Sequence, residues 1–218
     1  MMRKFFIALT LGLLCCNTLC YANIIKDVDI IAQHPELPTG CEATALTMLL
    51  NYHGIMVTKE DVASIMPKSD APELSYKMKY ADNPNFTFIG DPFSEDGYGV
   101  YAPVILDMIE WFLPGRRVDL SGGSFDVVFD SIDRGEPVII WATINMIPPE
   151  RGSSWELPNG NTFNWISHEH AMVVVGYDEN YIYINDPYTG ELEGYDIGLV
   201  ILRWINLGRQ AVSIKSQY

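Results

Sequence analysis

A cysteine and a histidine lie where they could act together as a nucleophile and a base. Cys41 follows Gly40 and begins a predicted helix, 41–53. His170 comes 129 residues later, directly before the apolar predicted strand 171–177. A cysteine attacks as its thiolate, and a helix N-terminus or a nearby imidazolium lowers the thiol pKa from its free value of about 8.5. A backbone N–H at a helix start also donates to a developing oxyanion. The arrangement favours a thiol hydrolase.

A carboxylate that could orient the base lies at the end of the next predicted strand, 181–185. Asp186 ends that strand, and the tight turn 178–180 should bring it beside the strand that follows His170. The order Cys, His, carboxylate is that of papain-like enzymes. The segment Asn-Asp-Pro-Tyr-Thr-Gly is also typical of a simple turn. These residues alone therefore leave Asp186 open between a turn residue and the third member of a triad.

The other histidines have weaker claims to a catalytic role. Strand alternation would place His168 on the same face as His170, with Glu169 pointing the opposite way. A metal site at this pair is an alternative, but it lacks the third and fourth ligands that zinc needs. We therefore expect no metal and no cofactor. His53, at a helix C-terminus, suits a structural role as a partly cationic imidazole, and His34 has no partner that the sequence identifies.

The first 22 residues have the pattern of a secretory signal peptide cut after Ala22. Arg3 and Lys4 precede an apolar run, 5–16, that is too short to span a bilayer as a helix. A buried N-terminal helix and a lipid-modified cysteine are alternatives, although no cysteine here follows Gly, Ala or Ser. We expect a secreted or periplasmic protein with one mature domain, 23–218.

Cleavage at this site would change both the thiol count and the charge. Three of the four cysteines would leave, and the remaining Cys41 could form no intramolecular disulfide. Such a lone thiol is either reactive or a small buried hydrophobe. The loss of Arg3 and Lys4 changes the formal net charge from -14 to -16. This charge argues against nucleic acid and anionic membranes as partners, and it is compatible with a neutral or cationic substrate.

The elements follow an order of helices first and strands afterwards, which indicates an α+β fold. The helix 41–53 is apolar nearly all round, so we expect it to be buried and central. Residues 68–100 are rich in Pro, Gly, Asp and Tyr and predict a long surface excursion. A second predicted helix begins at Thr58, with Asp61 in a capping box. Three further helices are predicted over 102–113, 124–134 and 196–207. The predicted strands are 28–32, 137–143, 171–177, 181–185 and 210–214.

Three segments together resemble the bacterial peptidase C39-like group of papain-like cysteine peptidases. They are LPTGCEATALTMLLNYHG, HEHAMVVVGYD and YIYINDPYTG, and the similarity extends through GYGVYAPVI and PVIIWAT to cover roughly 28–214. The resemblance implies an α+β, papain-like fold. In that fold an N-terminal helical part, with the buried nucleophile helix, packs on an antiparallel β-sheet.

The resemblance also implies roles for individual residues. Cys41 matches the nucleophile, His170 the base and Asp186 the residue that orients the base. Gln33 matches a glutamine that, with the Cys41 N–H, donates to the oxyanion. The bacteriocin-processing members of this group are domains of membrane transporters, and we do not carry their double-glycine leader cleavage over to this chain.

We therefore expect an exported thiol hydrolase that cleaves a peptide or protein substrate through a Cys-His-Asp triad and an acyl-enzyme. One alternative is an amidase that acts on cell-wall peptides. Another is a catalytically silent C39-like binding domain, with tryptophans such as Trp111 and Trp155 lining a groove. The oligomeric state does not follow from these residues.

The signal peptide generates the first prediction. The exported protein should begin at Asn23 and carry one thiol when titrated under denaturing conditions, because cleavage after Ala22 removes the other three. Intact mass and thiol counting measure this. A mature chain with two or more thiols, or with a lipid adduct, would contradict it.

Overall fold

The computed structural model describes residues 22–75 and 78–217. The predicted signal peptide lies almost wholly outside the described residues, so it stays a prediction. None of the helices in the described part combines the length and the apolar character that crossing a bilayer requires.

Five α-helices form where the apolar periodicity and the caps predict them. They are α1 (Cys41–Tyr52), α2 (Lys59–Ile65), α3 (Ala102–Phe112), α4 (Asp126–Asp133) and α5 (Ile197–Asn206), and a short 3-10 helix covers Ile144–Met146. Thr58 and Asp61 form the predicted capping box of α2. Asp196 caps α5 through its side chain. The sequence also predicts Ser124 as the N-cap of the helix 124–134, and this is wrong: the Ser124 hydroxyl donates to the Asp126 carboxylate, and α4 begins without a side-chain cap.

Thirteen strands make three sheets in the described part of the chain. They are β1 (Asn23–Ile24), β2 (Lys68–Ser69), β3 (Glu73–Ser75), β4 (Met78–Tyr80), β5 (Phe88–Ile89), β6 (Arg117–Asp119), β7 (Val138–Thr143), β8 (Glu150–Glu156), β9 (Thr162–Ser167), β10 (Glu169–Tyr177), β11 (Tyr181–Asp186), β12 (Glu191–Asp196) and β13 (Ala211–Ile214). The main sheet has the order β12-β11-β10-β7-β13-β6, with β1 also paired to β10, and all its pairings are antiparallel.

Helices cover both faces of the main sheet, which explains its continuous apolar strands. On one face, α1 and α3 pack on the sheet in a core that includes Trp141, Ala171 and Val173, and α2 packs on α1. On the other face, α4 and α5 pack on Ile140 and Met172 among others. The strands therefore need apolar residues at successive positions rather than at alternate ones. The predicted α+β fold, with the helix that begins at Cys41 packed on an antiparallel sheet, is confirmed.

The helix α1 is enclosed on nearly every side. Ten of its twelve residues are buried. Its two threonines satisfy their hydroxyls internally: Thr44 donates to the Gly40 carbonyl at 2.9 Å and Thr47 to the Ala43 carbonyl at 2.8 Å. The prediction of a buried central helix is correct.

The segment predicted as a surface excursion is more structured than expected. Strands β3 and β4 join the hairpin β8–β9 in a second sheet, while β2 and β5 pair in parallel. Buried Trp155 and Trp165 form a separate small core under this sheet. Short strands with few apolar residues give a weak sequence signal, because the partner strand supplies the order. The predicted strand 28–32 does not form.

The packing of α1 generates a stability prediction. Leu49→Ala should lower the free energy of unfolding by about 2–5 kcal/mol, because it leaves a cavity among fully buried side chains. Chemical denaturation followed by circular dichroism measures this. Met56→Ala is the control: its side chain is 77% exposed, so its effect should stay within about 0.5 kcal/mol. Equal effects of the two variants would show that α1 is not the core.

Candidate active site

The imidazole of His170 is held by the carboxylate of Asp186. The hairpin of β10 and β11 brings the two side chains together, and His170 Nε2 lies 2.6 Å from Asp186 Oδ1. Each side chain is only 1% exposed. The backbone N–H of Tyr188 donates to the same carboxylate oxygen at 2.8 Å. The contact that the sequence predicted between these two residues is present.

This pair favours an ionised Asp186. Burial by itself would raise the pKa of the Asp186 carboxyl. The hydrogen bond and the charge of His170, with backbone N–H donors such as that of Tyr188, outweigh burial and lower the pKa below its usual value. An ionised Asp186 accepts the proton on His170 Nε2 and leaves Nδ1 as the ring nitrogen available to a reactant.

Cys41 lies at the first position of α1, as predicted. Gly40 precedes it, and a Cβ built there would lie 2.7 Å from Leu37 Cβ, so only glycine allows this approach of the chain. The thiol is buried. It donates to Glu42 Oε2 at 3.3 Å and accepts from the Ala171 N–H at 3.4 Å.

The structure does not join the thiol to the imidazole by a hydrogen bond within residues 22–75 and 78–217. The Ala171 N–H contact instead places Cys41 Sγ beside the peptide bond that follows His170. The nucleophile candidate and the His170–Asp186 pair are therefore neighbours, and the thiol in this conformation turns towards Glu42.

Two buried carboxyl groups next to the thiol were missed by the sequence analysis. Ligand atoms of Cys41, Glu42 and Glu169 all lie within 4.8 Å of one another. Glu42 Oε1 accepts from the Val100 N–H at 2.7 Å. Because β10 alternates, Glu169 faces the thiol while His170 faces Asp186. The available signals were an acidic residue directly after the cysteine in an otherwise apolar helix, and another directly before His170 at the entry to an apolar strand. Carboxylates in such apolar surroundings are rarely fully buried without a reason.

The two carboxyl groups change the protonation of the site. Burial raises the pKa of Glu42 to about 7. Burial, and then the charge of Glu42, raise the pKa of Glu169 well above its usual value. The pKa of the Cys41 thiol is raised by burial and by the charges of both glutamates. The expectation that the helix start lowers the thiol pKa is therefore wrong in this conformation, because burial and like charges outweigh the helix dipole.

The predicted oxyanion donors lie on the segment that leads into α1. Gln33 Nε2 donates one N–H to the Pro38 carbonyl at 2.9 Å. Its second amide N–H is therefore available to donate to an oxyanion. Its Oε1 is buried without a hydrogen-bond partner in the described part of the chain. No acceptor among the described residues bonds to the Cys41 N–H, as is usual for the first turn of a helix.

The other histidines are not part of this cluster. His168 is exposed in the turn between β9 and β10 with φ 63°, so the strand alternation breaks there and the predicted shared face with His170 is wrong. His53 Nδ1 lies 2.9 Å from Arg116 Nη2. Burial, and then the charge of Arg116, lower the pKa of His53 to about 4, so the predicted partly cationic imidazole is also wrong. The ring of His34 packs edge-on to Tyr188.

Comparison with known proteins places the chain in a family. The sequence profile of the Peptidase_C39 like family matches residues 25–212. The uncharacterised protein YvpB of Bacillus subtilis (strain 168) is 34% identical over 194 residues, which is 87% of this chain and 76% of YvpB. A crystal structure from Bacillus anthracis, of a protein proposed to be a C39-like peptidase, superposes with a TM-score of 0.81 at 32% identity, over 90% of this chain and 98% of that one. This chain belongs to the Peptidase_C39 like family.

Proposed function

We propose that this protein is an exported cysteine peptidase in which Cys41, His170 and Asp186 act as a triad. The observation that carries the proposal is the buried His170–Asp186 pair, 2.6 Å apart, beside the thiol at the start of α1. A histidine oriented in this way on one side and next to a cysteine on the other suits nucleophilic catalysis. Membership of the Peptidase_C39 like family supports the same reaction class.

Activation begins with a rotation of the Cys41 side chain. Asp186 holds the Nε2–H of His170, so Nδ1 is the proton acceptor. The thiol leaves Glu42 by rotation about its Cα–Cβ bond to another staggered position, which brings Sγ towards Nδ1. Catalytic hydrogen bonds are often long or unformed before substrate binds. The thiol proton passes to Nδ1, and the imidazolium that forms is stabilised by the Asp186 carboxylate.

The chemical steps then follow acyl transfer. Cys41 Sγ attacks the carbonyl carbon of the peptide bond, and the carbonyl electron pair moves to oxygen. As the tetrahedral intermediate collapses, the C–N bond breaks and the Nδ1 proton goes to the leaving amine. Water, deprotonated by the same nitrogen, then attacks the thioester carbonyl carbon. The C–S bond breaks, the acid product leaves, and the Nδ1 proton returns to Sγ. The Cys41 N–H and the second amide N–H of Gln33 are proposed to hold the oxyanion.

The proposal includes export. Residues 1–22 are the proposed signal peptide and 23–218 the proposed catalytic domain, which acts in the periplasm or outside the cell. Without Arg3 and Lys4, the formal net charge changes from -14 to -16, which favours neutral or cationic peptides near the surface over anionic ones.

Loss of the nucleophile is the direct test. The purified protein, incubated with a peptide library and analysed by mass spectrometry, should cut peptide bonds, and Cys41→Ala should lower the rate on the order of 10⁴-fold or more, because attack is lost. The exposed substitution Glu179→Gln is the control and should leave cleavage unchanged.

Other outcomes would identify the competing functions. Cleavage confined to cell-wall peptides would indicate the amidase. A stable bound peptide with no cleavage by the unmodified chain would indicate a binding domain. Activity that a chelator abolishes and zinc restores would overturn the thiol mechanism.

The two neighbouring histidines give a second test. His170→Ala should abolish turnover and move the pH profile of Cys41 alkylation to higher pH, because the thiol loses its proton acceptor. His168→Ala is the matched control: the side chain is exposed in a turn, so turnover should fall by about tenfold at most, on the order of 1.4 kcal/mol.

The measurement is the rate of alkylation of Cys41 against pH in both variants, together with turnover. If His168→Ala moves the profile and His170→Ala does not, the base is His168 and not His170.

A further inference from the structure

We propose that Cys41, Glu42 and Glu169 form a binding site for one thiophilic divalent cation, for which Zn²⁺ is the natural probe. The ion would occupy the sulfur of the proposed nucleophile and block it reversibly. This site is distinct from the His170–Asp186 pair, and its existence does not depend on peptidase activity.

The spacing of the ligand atoms suits a metal of this size. Within residues 22–75 and 78–217, these three side chains are the one group of His, Cys, Asp or Glu whose ligand atoms all lie within 4.8 Å of one another. Cys41 Sγ and Glu42 Oε2 are 3.3 Å apart. Two ligands of a tetrahedral zinc ion with usual Zn–S and Zn–O lengths are separated by about 3.6 Å, so this pair already has the spacing of two ligands.

Glu169 provides an independent observation that points to a ligand. Its side chain is more than nine-tenths buried, and Oε1 has no hydrogen-bond partner in the described residues. A buried carboxylate oxygen without a donor costs free energy, and an ion is one remedy for it. Burial and then the negative charge of Glu42 raise the pKa of the Glu169 carboxyl, and no lysine or arginine in the described part of the chain contributes a positive charge to offset them.

Gly99 keeps the space between the two carboxyl groups open. A Cβ at this position would lie against Glu42 Oε1 and 3.0 Å from Glu169 Oε2, with Trp165 at 3.1 Å on a third side. The two carboxyl groups therefore face a common point that any side chain at residue 99 would fill. The indole of Trp165 and the buried start of α1 shield this point from solvent.

The donor set selects the class of ion. A thiolate is a soft ligand that binds Zn²⁺ and similar ions, whereas Mg²⁺ and Ca²⁺ prefer sites made only of oxygen. Three protein ligands leave the fourth tetrahedral position for water. Binding displaces the thiol proton and any proton held by the carboxyl groups into the buffer, so the two carboxylates and the thiolate can coexist only around the cation.

Direct binding tests the site. The purified protein, freed of metal by chelation and dialysis, should retain one equivalent of Zn²⁺ after desalting, measured by elemental analysis. Co²⁺ used as a probe should give a thiolate-to-metal charge-transfer band. Zn²⁺ should also protect Cys41 from alkylation in the unmodified chain, and Mg²⁺ at the same concentration should not.

Variants separate this site from the proposed triad. Cys41→Ser should remove the charge-transfer band, and Glu169→Gln should weaken Zn²⁺ binding by on the order of tenfold or more. Glu179→Gln makes the same change at an exposed position and should bind like the unmodified chain. His170→Ala should bind Zn²⁺ normally even though turnover is lost.

The outcomes are distinguishable. Absence of bound Zn²⁺, or binding that persists in both Cys41→Ser and Glu169→Gln, would overturn the metal site and leave the peptidase proposal standing. Binding lost in His170→Ala but retained in Glu169→Gln would also overturn it, since the ion would then lie at the His170–Asp186 pair. If Glu169→Gln does not fold, as judged by circular dichroism, protection of the unmodified thiol by Zn²⁺ and not by Mg²⁺ decides the question.

Discussion

The enclosure of α1 is the constraint on which the rest of the structure depends. A helix with ten buried residues out of twelve has almost no face for solvent, so other elements must surround it. Strand β10 lies on one side, with α2 and α3 packed alongside. Because Cys41 is the first residue of that helix, the packing that hides α1 also sets the thiol against the start of β10.

Successive residues of β10 serve two polar clusters with opposite electrostatics. His170 meets an acceptor of complementary charge in Asp186, at 2.6 Å. Glu169 meets a second carboxyl group and a thiol, all of which become negative when they lose a proton. Burial strengthens both effects, since electrostatic interactions grow as the effective dielectric falls. The pair of His170 and Asp186 is therefore stabilised by its own charges. The acidic group around Glu169 is stable only when its members keep their protons or bind a cation.

The four-stranded sheet, which contains Trp165, meets this site at one short stretch of backbone. The segment that contains Gly99 lies between the carboxyl groups of the site and the indole of Trp165. The adjacent Val100 donates its N–H to Glu42, and its carbonyl accepts from the Trp141 indole at 2.9 Å. Residues far apart in the chain thus meet at one short stretch of backbone, and a side chain added at residue 99 would disturb both the carboxyl pair and the packing.

Local patterns in the sequence were enough for the helices, the hairpin of β10 and β11, and the pairing of His170 with Asp186, because each rests on periodicity, caps or a short turn. Strands β3, β4, β8 and β9 order one another at long range and carry little local signal. The protonation of Cys41 was decided only by tertiary structure: a helix start favours the thiolate, but burial of the thiol, together with the charges of Glu42 and Glu169 beside it, raises its pKa and reverses that preference. Residue types and spacing therefore determined which groups could react, and the folded chain decided which of them lie in contact and in which charge state, since burial and neighbouring charge arise only on folding.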